Sequence, residues 1–281
     1  MGESHGKASR RLLKCLNMYP VLFHVFGQAF TSWPLFALTG AWVFYFVVRR
    51  ELLKNGISRT SINIFTFSCV ITFFIGGHLG QLWTVGHGIA VAAHPRFSGF
   101  MLYGGVLVAG LSGIACWKLL GWNRILSLRK MLDMIVPAMF WALFFGRIGC
   151  TLYGCCYGTP SNGFPGYVLN YQHWDFGAQI FPHELRGVEL HPAPLYEALL
   201  LLLLALWGGQ MKNRLSLPPA ILGWSLLGSY ALGRFFLEWI RMDARGNFSL
   251  GLSPSQWISI GLLVLAGFFL QRAWREAKVL S

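Results

Sequence analysis

The sequence has few charged residues for its length. Only 12% of its 281 residues are Asp, Glu, Lys or Arg, about half the fraction typical of a soluble domain. The apolar residues make up 55% of the chain and occur in long blocks. Blocks of roughly 20 apolar residues match the hydrocarbon thickness of a bilayer. These features exclude an ordinary soluble domain and predict an all-α polytopic membrane protein.

Acidic residues are especially scarce. The chain has 10 Asp and Glu against 23 Lys and Arg, which gives a net charge of +13. A basic balance of this size can indicate nucleic-acid binding, but the Lys and Arg residues fall in short clusters between the apolar blocks. Such clusters are typical of cytoplasmic loops that face anionic lipid. We therefore expect a membrane and no nucleic acid as partner.

The apolar blocks predict about seven transmembrane helices. Residues 1–32 are too mixed to span and are predicted to form an N-terminal interfacial segment, while residues 33–281 form the helical domain. The Lys and Arg content of the loops favours an outer N-terminus and an inner C-terminus, although the basic N-terminal segment opposes it. The long loop 150–193 then lies outside. The predicted spans lie near residues 33–49, 61–79, 99–120, 132–149, 194–211, 218–237 and 252–271.

Charged residues occur in or beside the predicted spans, where they are costly and usually functional. Arg147 lies near the outer end of the fourth span. Arg234 and Glu238 are four residues apart and share a helix face, with Arg241 one turn further on. In one interpretation Arg234 and Glu238 only neutralise each other, and Arg241 reaches the interface. In the other, Arg147 and Arg234 bind one phosphate, because guanidinium groups suit phosphate oxygens.

Several uncharged or weakly ionisable residues lie near the same outer ends. His78 and Tyr103 lie at similar depth, and an ordinary hydrogen-bonding role is the simpler interpretation for each. Tyr196 is predicted to anchor the fifth span at the interface, and Glu197 adds a second acid within the membrane. Glycines there favour close helix packing, with room for a lipid head group as the alternative. These glycines are Gly76, Gly77, Gly104, Gly105, Gly146, Gly149, Gly154 and Gly158.

Three cysteines follow the fourth span in the pattern C-x4-C-C, namely Cys150, Cys155 and Cys156. No second pair follows at zinc-finger spacing, so we expect no metal site. A disulfide from Cys150 to Cys155 or Cys156 is one open alternative. A nucleophilic thiol activated by Arg147 is another. Three histidines further along the chain could complete a metal site, although nothing in the sequence requires it. They are His173, His183 and His191.

The motifs together resemble the prolipoprotein diacylglyceryl transferase family of bacterial inner membranes. The similarity extends over about residues 20–272 in consistent order. The motifs that carry it are GRIG at 146–149 with Gly158, RFSGFMLYGG at 96–105, HPAPLYE at 191–197, GRFFLEWIR at 233–241 and LSPSQWISI at 252–260.

The resemblance implies an activity and a set of site residues. Family members move the diacylglyceryl group of phosphatidylglycerol to the lipobox cysteine of a prolipoprotein, at the periplasmic side of the inner membrane and without a cofactor. Carried over, Arg147 and Arg234 hold the phosphate and Glu238 orients Arg234. The expected partners are phosphatidylglycerol or another anionic phospholipid and the prolipoprotein signal peptide. Further expected substrate-binding residues are His78, Gly104, Gly105, Gly149, Gly158, Tyr196, Glu197 and Arg241.

The sequence departs from the family pattern at the expected reaction centre. Tyr103 replaces a histidine, Cys150 an asparagine and Cys155 an acidic residue, and His78 replaces an arginine. Of these replaced positions, Tyr103, Cys150 and Cys155 remain our catalytic candidates, beside Arg147, Arg234 and Glu238. The alternative is a non-catalytic phospholipid-binding or transport protein with the same fold.

Overall fold

The computed structural model describes residues 19, 21–26, 28–85, 100–161, 167–168, 185, 188–214, 217–242 and 251–280. Helices dominate these residues: α1 (Ser32–Lys54), α2 (Arg59–Val85), α3 (Leu102–Leu119), α4 (Leu128–Tyr153), α5 (Ala193–Arg214), α6 (Ile221–Leu237) and α7 (Pro254–Leu280). Single 3-10 turns occupy Trp122–Arg124 and Glu238–Ile240. β1 (Val21–Val25) pairs with β2 (Gln28–Thr31), and β3 (Tyr167–Val168) pairs with β4 (Glu189–Leu190), both antiparallel.

The predicted all-α polytopic class is confirmed. Among the described residues, five helices are long and apolar enough to cross a membrane. The other two predicted spans are also helical, α1 with 23 residues and α6 with 17. The five are Arg59–Leu82, Leu102–Leu119, Leu128–Tyr153, Ala193–Lys212 and Pro254–Lys278.

Apolar side chains face outward, as expected of helices in lipid. On α3, Leu107, Leu111 and Ile114 are 65%, 59% and 46% exposed, and their spacing places them on one helix face. A soluble protein rarely exposes so continuous an apolar surface. Lipid acyl chains are therefore the surroundings in which this face is stable.

The described residues form two compact units, one drawn from Tyr45–Ile135 and the other from Met1–Phe44 with Val136–Ser281. In the first unit, α2 and α3 pack with their backbones in contact. A β-carbon at Gly76 would lie 2.6 Å from the carbonyl oxygen of Gly104. The packing interpretation of these glycines is therefore supported by their surroundings.

In the second unit, α6 packs against both α5 and α7. Leu201 of α5 and Leu226 of α6 are fully buried. The rings of Trp224 and Phe269 stack with centroids 4.7 Å apart across α6 and α7. This packing brings the polar residues of α5 and α6 to the interior of the unit.

The fourth helix extends beyond its predicted end at residue 149. α4 continues to Tyr153, so Cys150 belongs to its last turn and not to the loop. Gly154 follows with a φ of +82°, and its N–H donates to the carbonyl of Cys150 at 2.9 Å. A left-handed glycine is a common helix terminator. The helix therefore ends at Tyr153, four residues past the end of the predicted span.

Candidate arginine–glutamate site

Buried charged side chains from three helices meet in the second unit. Arg147 lies on α4, Glu197 in the second turn of α5, and Arg234 near the end of α6. Glu197 and Arg234 are each only 1% exposed. Charges at this depth require partners, since an isolated buried ion is very costly.

Glu197 is the common partner of three arginines. Its Oε1 lies 2.9 Å from Arg147 Nη2 and accepts a hydrogen bond of 2.9 Å from the Tyr230 hydroxyl. Its Oε2 lies 3.8 Å from Arg234 Nε and 3.5 Å from Arg241 Nη1. One carboxylate thus contacts three guanidinium groups from separate parts of the chain.

Two further side chains fix the orientation of Arg234. Its Nη1 lies 2.6 Å from Glu238 Oε2, and its Nη2 donates to Ser255 Oγ at 3.2 Å. The ion pair predicted from the four-residue spacing of Arg234 and Glu238 is therefore present. Ser255 lies in the first turn of α7, so α7 also positions the Arg234 guanidinium.

The cluster carries more positive than negative charge over the residues that the structure describes. Three guanidinium groups and two carboxylates give it a formal charge of +1. A phosphodiester carries a single negative charge. The cluster is therefore electrostatically suited to one such anion.

Backbone contacts around Gly158 position Arg241. The N–H of Gly158 donates to the carbonyl of His191 at 2.9 Å, and Thr159 N–H donates to Ile240 O at 2.7 Å. A β-carbon at Gly158 would lie 2.7 Å from His191 O. Gly158 therefore permits close approach of three chain segments.

Gly149 also contacts protein atoms. A β-carbon there would lie 2.9 Å from the β-carbon of Phe36 on α1. These surroundings favour packing as its role. Its predicted contact with substrate stays a prediction.

Tyr196 lies beside Glu197 in sequence and borders an apolar groove. Its hydroxyl lies 3.1 Å from His191 Nδ1. The groove, of about 280 Å³, is lined by Tyr196, Leu200, Gly233, Phe236, Leu237 and Ile240.

Tyr103 and His78 belong to the Tyr45–Ile135 unit. The Tyr103 hydroxyl is buried and has no hydrogen-bond partner within the described part of the chain. The His78 ring meets Phe100 edge to face with centroids 6.0 Å apart. Gly105 packs in the same region, where an added β-carbon would lie 2.8 Å from the carbonyl oxygen of Phe73.

The three cysteines after the GRIG motif lie close together and form no disulfide. Their Sγ atoms all lie within 4.8 Å of one another, and Arg147 Nη1 donates to Cys156 Sγ at 3.8 Å. Hydrogen bonding to Cys150 and Cys156, together with burial, raises the pKa of the Cys155 thiol. Cys155 is therefore protonated at neutral pH, which does not favour it as a nucleophile. His173 and His183 lie outside the described residues.

Two site residues were not predicted from the sequence. Tyr230 lies four residues before Arg234 and shares its helix face, so helical spacing could have indicated it. Ser255 is distant in sequence from its partner, and no local pattern links them.

The helices and the buried cluster define a multi-pass membrane protein with a polar site inside its bundle. The family model for prolipoprotein diacylglyceryl transferase matches residues 20–272, and the chain belongs to this family. The resemblance seen in the motifs is confirmed.

Individual relatives align over nearly the whole chain. A phosphatidylglycerol–prolipoprotein diacylglyceryl transferase of Clostridium tetani is 29% identical over 265 residues, covering 89% of this chain and 96% of the relative. The protein of that name from Idiomarina loihiensis is 30% identical and covers 92% and 94%. The one from Dehalococcoides mccartyi is 30% identical and covers 94% and 97%.

Proposed function

We propose that this protein transfers the diacylglyceryl group of phosphatidylglycerol to the cysteine thiol of a prolipoprotein. Family membership and the names of the relatives support the two substrates. The observation that carries the proposal is the buried cluster of three arginines with Glu197 and Glu238, which has a formal charge of +1. The reaction forms a sulfur–carbon bond, breaks the bond between the diacylglyceryl carbon and its phosphate oxygen, and releases glycerol phosphate.

Arg147 and Arg234 are the proposed phosphate-binding residues. They project from different helices, so their guanidinium groups can meet a phosphate from two sides. The phosphate gains a second negative charge as glycerol phosphate leaves. Groups that are already oriented toward that charge stabilise the transition state more than they stabilise the bound lipid. Glu238 and Ser255 keep Arg234 in the required orientation.

Tyr103 is proposed to contact the acceptor thiol. It occupies the position of the family's histidine, and its buried hydroxyl has no partner among the described residues. A neutral phenol hydroxyl can donate and accept a hydrogen bond, but it is a poor proton acceptor. Tyr103 therefore orients the thiol by hydrogen bonding, and the released proton passes to solvent or to another group. Cys150 and Cys155, which replace polar family residues, are also proposed catalytic residues.

The remaining predicted residues are proposed to bind or frame the lipid. Glu197 and Arg241 complete the charge of the phosphate site, and the groove beside Tyr196 gives acyl chains an apolar surface. The site then faces the periplasmic side of a bacterial inner membrane, with residues 1–32 at the interface and 33–281 as the transferase domain. Residues proposed to line or frame the lipid site are His78, Gly104, Gly105, Gly149 and Gly158.

A two-product assay tests the proposal. The purified protein is incubated with phosphatidylglycerol labelled in its head-group glycerol and with a lipobox peptide. Release of labelled glycerol phosphate should equal the amount of peptide that gains the diacylglyceryl mass. Lipid binding without either product would instead indicate the non-catalytic alternative. Release without peptide modification would contradict the proposed acceptor.

A further inference from the structure

The three cysteines after the GRIG motif form a compact set of metal-ligating atoms outside the arginine–glutamate cluster. Cys150 lies in the last turn of α4, and Cys155 and Cys156 follow the helix end. Their Sγ atoms all lie within 4.8 Å of one another, and none of the three cysteines forms a disulfide. Thiolates held by the same metal ion at about 2.3 Å lie roughly 4 Å apart. The spacing therefore suits one metal ion among three sulfurs.

The backbone turns back sharply to bring these sulfurs together. Both Gly154 and Cys155 donate their N–H groups to the carbonyl of Cys150, at 2.9 and 3.2 Å. Cys156 then adopts a φ of +63°, which glycine tolerates but which is uncommon for other residues. A side chain kept at such a position points to a function of that side chain. Here the residue in this conformation is Cys156, whose thiol lies beside the two others.

The chemistry of the three sulfurs selects the class of ion. Thiolates are soft ligands that favour ions such as Cu(I) and Zn(II). A structural zinc site takes four protein ligands, and the described residues of this group offer three ligand atoms. Three-coordinate thiolate sites suit Cu(I). We propose that Cys150, Cys155 and Cys156 bind one soft metal ion of the Cu(I) class through their three sulfurs.

Charge and atom balance are consistent with such a site. Binding forms three metal–sulfur bonds and releases three thiol protons to solvent, with no electron transferred. Three thiolates and a monovalent ion carry a formal charge of −2. The Arg147 guanidinium, 3.8 Å from Cys156 Sγ, lies where it offsets part of that charge.

Competition titration tests the proposal. The reduced full-length protein in detergent is titrated with Cu(I) buffered by a chelator of known affinity. We expect one Cu(I) per chain, and X-ray absorption should show sulfur ligands only. Cys150→Ser, Cys155→Ser and Cys156→Ser should each weaken binding by at least about 100-fold, because each removes a soft ligand. Cys116→Ser, on α3, is the matched control and should change it less than twofold.

Alkylation of the unaltered protein gives an answer even if a serine variant fails to fold. Bound Cu(I) should protect Cys150, Cys155 and Cys156 from maleimide while Cys116 reacts as before. Equal labelling with and without Cu(I) would overturn the proposal. So would serine variants that keep the affinity of the parent, or a disulfide among the three cysteines in protein alkylated inside cells.

Discussion

At the scale of single residues, Glu197 holds the arginine cluster together. Glu197→Gln keeps the size of the side chain but removes the negative charge that faces Arg147, Arg234 and Arg241. Breaking a buried ion pair costs roughly 3–5 kcal/mol. Tyr230→Phe loses one hydrogen bond, worth about 1 kcal/mol. Thermal unfolding in detergent should show the larger loss for Glu197→Gln, and equal losses would contradict this account.

The two proposed phosphate-binding arginines should resist conservative replacement. Arg147→Lys and Arg234→Lys keep the charge but lose the planar fork that binds two oxygens. We expect each to reduce turnover of phosphatidylglycerol at least roughly tenfold, the size of one lost charge-assisted bond. The variants should remain folded in the membrane.

Arg272→Lys is the matched control for these substitutions. Arg272 is exposed on α7 and pairs with Glu276 four residues away, an arrangement worth little to stability. Turnover of this variant should equal that of the parent. If Arg147→Lys and Arg234→Lys turn over like the parent, as Arg272→Lys should, then Arg147 and Arg234 contribute only to helix packing.

The sequence identifies the charged residues of the site more readily than it identifies the contacts between them. Arg147, Glu197 and Arg234 are conspicuous because each is a charge within an apolar block. Arg234 and Glu238 also show a local signal, since helical spacing pairs them. The contact between Arg147 and Glu197 joins residues 50 positions apart, and no periodicity reports such a contact. The pattern C-x4-C-C likewise indicates no cluster unless the turn after α4 is known.

At the scale of helices, the contact between α2 and α3 depends on glycine. Gly104→Ala would place a methyl group 2.5 Å from the backbone oxygen of Gly76, so the helices must separate. Overpacking of this kind typically costs about 1–3 kcal/mol. We expect a clear drop in the temperature of thermal unfolding.

Gly110→Ala provides a control on the same helix. No atom lies within 4 Å of a β-carbon built there, and alanine is the better helix former by up to about 1 kcal/mol. The unfolding temperature should stay the same or rise. A drop equal to that of Gly104→Ala would show that the helix contact is not responsible.

Element boundaries were harder to predict than the elements. The apolar blocks located the spans because lipid requires long helices. They did not locate the end of α4, since backbone geometry at Gly154 sets it and not hydropathy. The β1–β2 hairpin was also not predicted, because its short strands are stabilised by pairing with each other.

At the scale of the whole molecule, the predicted topology places opposite loops on opposite sides of the membrane. Asn162→Cys lies in the long loop predicted to face outward, and Asn123→Cys lies in the exposed turn between α3 and α4. A membrane-impermeant maleimide added to intact spheroplasts should label Asn162→Cys more than the parent. Labelling of Asn123→Cys should require lysis. The reverse pattern would overturn the topology.

The sharing of one carboxylate by several helices has a consequence for biosynthesis. Arg147 leaves the ribosome well before Glu197, because α4 ends at Tyr153 and α5 begins only at Ala193. At 5–20 residues per second the 50 residues between them take about 2.5–10 s. During this time the unpaired Arg147 destabilises the inserted span, by less than the roughly 2.5–3.5 kcal/mol of an arginine at the centre of a span, because it lies near the end. In a chain truncated before α5, α4 should therefore insert less completely than in a chain that includes Glu197, so the full insertion of this span depends on an acid that is made seconds later.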